Sequence, residues 1–396
     1  MKEVVLIGGV RTAVGNFGGA LRDISAQELL KVVFEDVIKK TKIDPAQIDD
    51  VIAGCIIQSS DAPNIARVGS LMAGVPDHVP AYTVQRNCVS SIQCITSAYQ
   101  AIQTGDGELF LVGGTESMSN SPYVLRKARF GYRLRSGELV DTLWEGLTDP
   151  VVNEIMGKTA ENVADKYGIS REEQDEFAIQ SHRKAFRATR EGKFKEEIVV
   201  MQIPKKMAGR EVTPETFAED ECINIGLSKQ MLSLYPTVFK EGGTVTPGNA
   251  CPISDGAAAM LVMTREKAIE LGLTPEFYVR SYGYAALSPA YMGEGPIYAV
   301  PKALERAKLT IDDIDFIEIN EAFAAQAIPC QRELKIPDEK FNVNGGAIAL
   351  GHPVGATGAK LIVSMKHILK NRDAKLGLVS ACVGGGMGGA IIIERK

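Results

Sequence analysis

The sequence is short of anything that would staple, anchor or spread it. Its seven cysteines (Cys55, Cys88, Cys94, Cys222, Cys251, Cys330 and Cys382) are odd in number and form no C-x-x-C pair. That argues against a disulfide framework and a structural zinc site, and for a reducing compartment. Positive charge is not in excess: the formal net charge is -5, the wrong sign for a nucleic-acid or anionic-membrane surface, so neither is expected as a partner. The opening apolar run Val4-Val5-Leu6-Ile7 is strand-sized, too short for a signal h-region or a membrane span. The C-terminal Glu394-Arg395-Lys396 is not a peroxisomal address, which leaves the cytoplasm as the expected location. Low-complexity segments are absent, and 45% hydrophobic with 23% charged residues is an ordinary globular balance.

At 396 residues the chain is long enough for two or more domains. Short apolar runs alternate with amphipathic segments near both ends, which predicts βαβ units and largely parallel sheets. Ser25 to Lys40 places Leu29, Leu30, Val33 and Val37 at helical spacing, and a strand-like stretch follows at Val51 to Ile57. Tyr298 to Lys308 repeats the helical pattern and Phe316 to Ile319 repeats the strand. The likeness extends to single residues: Ile48-Asp49-Asp50-Val51-Ile52 lies 266 positions before Ile314-Asp315-Phe316-Ile317-Glu318, and Cys88 lies 264 positions before His352. Each of those two residues precedes an amphipathic segment, Ile92 to Gln103 or Ala359 to Leu369. A strand-like run follows each segment, Leu109 to Val112 or Leu376 to Ser380. The pattern is that of a duplicated α/β unit. Paired copies around a pseudo-two-fold axis would bring equivalent helix starts, and with them the thiol and the imidazole, together.

Between the copies, residues 122 to 246 differ in character. They open on Arg126, Lys127, Arg129, Arg133 and Arg135 with no acid before Glu138, continue through a charged helical pattern from Ser170 to Arg190, and become turn-rich and polar from Pro204 to Phe239. This stretch is expected to be an insertion covering a site. Its basic cluster suits either a solvated or subunit-contacting loop or the phosphates of a ligand.

Three islands end on reactive groups: Asn87-Cys88-Val89-Ser90-Ser91, Gly351-His352-Pro353-Val354-Gly355, and Ala381-Cys382-Val383-Gly384-Gly385-Gly386. Cys88 stands before a helix whose positive end favours thiolate, although a free cysteine is more often a small buried hydrophobe. His352 is one of four histidines and sits among glycines that let backbone approach a ligand, or simply make a tight turn. His182 and His367 fall in charged helical patterns and are expected to be solvated, while His78 lies in a proline-flanked loop. Cys382 ends a strand, where α/β folds place catalytic groups, and Gly384 opens a glycine run that could offer oxyanion donors or plain turn chemistry. The same strand-end logic selects Asn320, with Glu321 expected to cap or orient the next helix.

Taken together, these islands resemble the thiolase family. The resemblance is carried by the cysteine island, Asn320-Glu321-Ala322-Phe323-Ala324, the run Gly345 to Pro353, Cys382-x-Gly384-Gly385-Gly386, Val10-Arg11-Thr12 with Phe17-Gly18-Gly19, and Ser254-Asp255-Gly256-Ala257-Ala258, in the expected order over the whole chain. It implies the α/β thiolase fold, two βαβαβαββ halves in a five-layered αβαβα core. By position these would be residues 1–121 with 247–272 and residues 273–396, with 122–246 as the loop domain over the coenzyme A site. Acyl-CoA and CoA are the implied substrates and partners, with no metal, nucleotide or redox cofactor, in a homodimer or homotetramer. In this likeness Cys88 would carry the acyl group, His352 would activate it, and Cys382 would exchange the proton at the substrate α-carbon. Asn320 through water, with His352, would hold one thioester oxygen, and the N–H groups of Cys88 and Gly384 the other. Ile155, Met156, Cys251, Met292 and Phe323 would face the substrate.

The chain departs from the family pattern at Val89-Ser90-Ser91, where glycine or alanine and then Ser-Gly are common. It departs also at Ile155, where a histidine often precedes Met-Gly, at Cys251, often serine, and at Asn224, often arginine. These changes are expected to alter the acyl pocket and the CoA grip and to admit substrates beyond acetoacetyl-CoA. A ketoacyl synthase shares the duplicated fold but has no need of Cys382 or of the Asn320 island. A non-catalytic acyl or lipid carrier would have no need of Cys88, His352 and Cys382 together, and a metal-binding module fits less well still.

Overall fold

The computed structural model describes residues 1–207 and 210–396. The first repeat runs β1 Val4–Thr12, α1 Ala26–Thr41, β2 Asp50–Gly54, α2 Ile65–Met72, β3 Ala81–Val84, α3 Ser90–Thr104 and β4 Leu109–Ser117. An excursion containing α4 Met156–Tyr167 and α5 Arg171–Arg190 precedes β5 Ser254–Thr264, which completes that repeat. The second repeat is β6 Phe277–Ala286, α6 Gly295–Ala307, β7 Phe316–Ile319, α7 Ala324–Glu333, α8 Thr357–Asn371, β8 Leu376–Val383 and β9 Met387–Arg395. Local signals start the helices where the sequence has them. Ser25 and Glu28 form a capping box on α1, and the Ser170 hydroxyl caps α5 by accepting from Glu173 N–H at 3.2 Å.

The strands lie in the order β7-β8-β9-β6-β1-β5-β4-β2-β3. Each half has the same order when β6, β9, β8 and β7 stand for β1, β5, β4 and β2. The counterpart of β3 has shrunk to a single parallel bridge between Ile317 and Phe341. The halves join where the equivalent strands β1 and β6 pair antiparallel, Val5 with Tyr278 and Leu6 with Phe277, the pairing a local two-fold produces. The sheet is mixed rather than largely parallel. β2 pairs parallel with β3 and β4, and β7 with β8, whereas β1–β5, β4–β5, β6–β9 and β8–β9 are antiparallel. The last two strands of each half are antiparallel and need no helical crossover. In the second half the link is the tight Gly384-Gly385-Gly386 turn; in the first, the long excursion takes the place of that turn.

Three apolar cores separate five layers. On the outside of the first half Leu29, Leu30, Val33 and Val37 of α1 pack on Leu109, Leu111 and Leu261. In the middle Ile92, Ile95 and Ile102 of α3 and Ile362 and Val363 of α8 share one core with Val112, Met260, Val379 and Ile391 from both halves. On the far outside Val300 and Leu304 of α6 cover Ile317, Leu378 and Ile392. Sheets covered on both faces explain the unbroken apolar strands such as Ile391-Ile392-Ile393. Among the described residues no helix is long and apolar enough to cross a membrane.

The stretch expected to be turn-rich from Pro204 begins instead inside an antiparallel pair, Met201–Met207 with Arg210–Phe217. Buried Met201 and Phe217 sit opposite each other at its base, so tertiary packing overrides the local turn signal. Ala208 and Gly209, which fall in that stretch, lie outside the described residues.

The middle helices start against one another. The Ala359 N–H donates to the Ser91 hydroxyl at 2.9 Å, and a Cβ on Gly358 would stand 2.6 Å from Ile92 Cγ1 and 2.8 Å from the Ile92 nitrogen. Gly358→Ala is therefore expected to force α3 and α8 apart and to cost about 1–3 kcal/mol, read as a lower urea midpoint. An unchanged midpoint would show that these helix starts do not press on each other.

Candidate active site

The contact between α3 and α8 brings the two predicted groups to one place. Cys88 is the residue before Val89, the N-cap of α3. It packs with Met118, Leu143 and Val354, the last of these two residues beyond His352. Ser90 braces the approach, donating to Asn87 O at 2.8 Å and accepting from Arg86 N–H at 2.8 Å. His352 follows Gly351, whose φ of 77° turns the chain out of the short helix Ala347–Leu350. The His352 N–H donates to the Ser254 hydroxyl at 2.9 Å. Glu116, at the end of β4, ties the flanking loops together, accepting from Ile56 N–H at 3.1 Å, Ile57 N–H at 3.0 Å and Gly355 N–H at 2.9 Å.

The imidazole state follows from its partners. The Thr357 hydroxyl lies 2.6 Å from His352 Nδ1 and donates its own proton to Pro353 O at 3.0 Å. It therefore accepts from Nδ1–H, and by this assignment Nε2 keeps its lone pair. Burial, and next the nearby Lys360 ammonium, push His352 down to about 3. Lys360 is itself buried, which lowers it to about 8. It donates to Gly351 O at 2.8 Å and Leu350 O at 3.3 Å, pinning the backbone just before His352.

The expected lowering of Cys88 by its helix start does not prevail. Burial pushes the thiol up to about 11, against a lowering by the Gly384 N–H aimed at it. The resting pair near neutrality is thus thiol plus neutral imidazole. Gly384 belongs to the β8–β9 hairpin turn, so the glycine run is both turn and donor. Gly385 and Gly386 take φ of 89° and 75°, and a Cβ on Gly384 would stand 3.1 Å from Met156 Sδ.

Cys382 lies near the end of β8, fully buried, with Met292, Phe323 and Ile348 in its cluster and Met156 and Phe239 packed against it. Burial holds its thiol well above the ordinary value, and the charge of a Cys88 thiolate would raise it further. Cys251 is half-buried, and its N–H donates to Ala322 O at 3.0 Å. Ile155 is half-buried at the N-cap of α4, beside Met156. Asn320 is 1% exposed, and both its side-chain nitrogen and oxygen are buried with no partner among the described residues. A buried amide left so is poised for a ligand or solvent molecule.

Some expectations are corrected. Glu321 does not cap α7: its carboxylate accepts from Ser181 Oγ at 2.6 Å, Asn342 Nδ2 at 2.9 Å and Ile348 N–H at 3.4 Å, joining α5 to the short helix before His352. His182 is buried rather than solvated, its Nδ1 accepting from Asn224 N–H at 3.1 Å, and burial lowers it to about 4. His367 is half-buried near Glu196. Val89 enters the middle core, where its Cγ1 would touch a Cβ on Gly389 at 3.1 Å. Its added bulk is therefore taken up by packing there. Asn224 is exposed. Sequence reading passed over Thr357, Lys360 and Glu116. The one available signal was Lys360, a charge on the apolar face of α8.

The family model for the N-terminal domain of thiolase matches residues 4–266, and that for its C-terminal domain matches residues 273–395. A probable acetyl-CoA acyltransferase of Staphylococcus aureus (strain COL) is 45% identical over 396 residues, all of both chains. An acetyl-CoA acetyltransferase of Syntrophomonas wolfei is 46% identical over 398 residues, 99% of each. The crystal structure of the Bacillus anthracis acetyl-CoA acetyltransferase superposes with a TM-score of 0.96 at 43% identity, covering 100% of this chain and 99% of that one. Human mitochondrial 3-ketoacyl-CoA thiolase in complex with CoA gives 0.95 at 38%, covering 100% and 98%. With both family models matched across nearly the whole chain and the same architecture in these structures, the protein belongs to the thiolase family and has the thiolase fold.

Proposed function

We propose that the protein is a CoA-dependent acyltransferase that cleaves 3-ketoacyl-CoA by thiolysis and, in reverse, condenses acyl groups with acetyl-CoA, by a ping-pong route through acyl-Cys88. The observation that carries this reading is the gathering of two thiols with separate surroundings. Cys88 lies under the Gly384 N–H beside the His352 loop, and Cys382 is buried among apolar side chains. Simple acyl transfer needs one thiol; making and breaking a carbon–carbon bond needs a second acid–base group once the first is acylated.

In thiolysis Nε2 of His352 takes the Cys88 proton and Sγ attacks the C3 carbonyl. The C2–C3 bond then breaks, its electron pair stays on C2, and Cys382 delivers the proton that completes acetyl-CoA. Incoming CoA gives its proton to the Cys382 thiolate and attacks the acyl-cysteine, and the imidazolium of His352 returns its proton to Cys88 as that thiol leaves. The N–H groups of Cys88 and Gly384 hold the oxyanion on the transferred acyl group. Asn320 through water, with His352, holds the enolate oxygen of acetyl-CoA. One such donor is worth roughly 3–4 kcal/mol. CoA is a substrate in this scheme, and no cofactor or metal enters it.

Residues 122–246 act as the cover, between halves formed by 1–121 with 247–272 and by 273–396. Supporting this division, α4 brings Met156 to Gly384 and α5 brings Ser181 to Glu321. Phe130 at 92% and Leu134 at 88% exposure stand bare within the basic cluster, which favours a subunit contact there in a homodimer or homotetramer. Met156, Phe323 and Met292 make the acyl end apolar, with Ile155 beside them, and Cys251 flanks the Ala322–Phe323 backbone.

Four measurements test this. Mass spectrometry after mixing with acetyl-CoA is expected to find one acetyl group on Cys88. Cys382→Ser is expected to acetylate normally yet to lose condensation by ~100-fold or more; retained condensation would remove Cys382 from the chemistry. Alkylation of Cys88 by iodoacetamide is expected to climb from pH 7 to pH 10, because the thiol held near 11 ionises only with rising pH while the imidazole held near 3 stays neutral throughout. A plateau already reached at pH 6 would indicate a resting ion pair instead. Thiolysis of C4, C6 and C8 3-ketoacyl-CoA is expected at comparable rates, and strict C4 preference would exclude the open acyl end.

A further inference from the structure

The two proposed oxyanion donors belong to different halves of the chain. The Cys88 N–H lies before α3 and the Gly384 N–H in the β8–β9 turn, so their spacing depends on whatever crosses from one half to the other at that point. The residue whose side chain reaches across to the Gly384 peptide itself is Asn87. Its Nδ2 donates to Gly384 O at 2.8 Å, a bond between residues 297 positions apart. We propose that Asn87 is a positioning residue that sets the oxyanion hole by holding the Gly384 peptide in register with the Cys88 amide. The proposal rests on the acyl-Cys88 chemistry above.

Two features make such a tie necessary. Gly384, Gly385 and Gly386 have no side chains to pack, and the latter two take φ of 89° and 75°, so the turn has wide conformational freedom of its own. Its far end is secured by the Leu287 N–H, which donates to Gly386 O at 2.8 Å. Its near end, which carries the donor, is met by Asn87. The carbonyl that Asn87 holds and the N–H that points at Cys88 Sγ flank the same Cα, so fixing one restricts the swing of the other.

The second feature is the backbone of Asn87. Its φ of 43° lies in the left-handed region, which costs a residue with a Cβ about 1–2 kcal/mol and which asparagine, aspartate and glycine bear best. The Asn87 carbonyl is held in addition by the Ser90 hydroxyl at 2.8 Å. Glycine would suit this backbone better than asparagine. What asparagine adds is the amide, and the amide is spent on Gly384.

That separation supplies the test. Asn87→Gly removes the tie while relaxing the backbone, so its melting temperature is expected to equal or exceed that of the wild type. Its acetylation burst and kcat for thiolysis are expected to fall about 100-fold, as for a misplacement of the order of 1 Å, with KM for CoA within twofold. Asn87→Asp keeps size and backbone preference but turns the donor into an acceptor facing a carbonyl, and should lose kcat to the same extent. If either variant is folded and keeps the wild-type burst and kcat, Asn87 does not set the hole. If the loss of kcat merely tracks a loss of folded protein, the role is structural and the proposal fails. A wild-type protein that takes no acetyl group on Cys88 would overturn the acyltransfer reading and this proposal together, whereas acetylation of the wild type with an unaffected Asn87→Gly would overturn this proposal alone.

Discussion

Everything around the candidate site depends on two helix starts pressed together at the middle of the molecule. α3 and α8 occupy equivalent places in the two repeats and share a single core. Gly358 lets them approach until a side chain no longer fits, and the Ala359–Ser91 hydrogen bond spans them. Duplication alone supplies two α/β units. It is their antiparallel junction through β1 and β6, and the close meeting of these two helices, that packs Cys88 against Val354 in the loop of an imidazole 264 positions further along the chain.

Burial then decides the resting chemistry. Desolvation raises both thiols and lowers the imidazole, so near neutrality all three groups rest in their neutral forms. The surrounding loops are held by buried polar groups. Lys360 grips the backbone before His352, Glu116 joins the loops on either side, and Arg11 binds Glu197 and Asp220 to fasten the excursion to β1. Removing one partner of such a buried ion pair costs about 3–5 kcal/mol. This shell belongs as much to placement of the site as to stability.

Much of the fold was legible because periodicity reports burial. The segments around Leu29 to Val37, Ile92 to Gln103 and Phe316 to Ile319 lie within α1, α3 and β7. Where reading failed, a local signal met a distant partner. The polar residues around Pro204 read as turns, yet a strand pair forms there on Met201 and Phe217. His182 sits in a charged pattern, yet the Asn224 segment folds over it. Glu321 reads as the cap of the following helix, yet its partners come from α5 and from a helix beginning at Ala347.

The sequence by itself determined the repeat, the order of the islands and the identity of the reactive groups, because these are properties of spacing and residue type. Only the tertiary structure decided that Gly384 points at Cys88, that Thr357 takes the Nδ1 proton of His352, that Val89 belongs to the core and that the Asn320 side chain finds no partner among the described residues. The reason is physical. Hydrogen-bond partners, desolvation and donor direction arise between segments hundreds of residues apart, and no local pattern carries the distance between them.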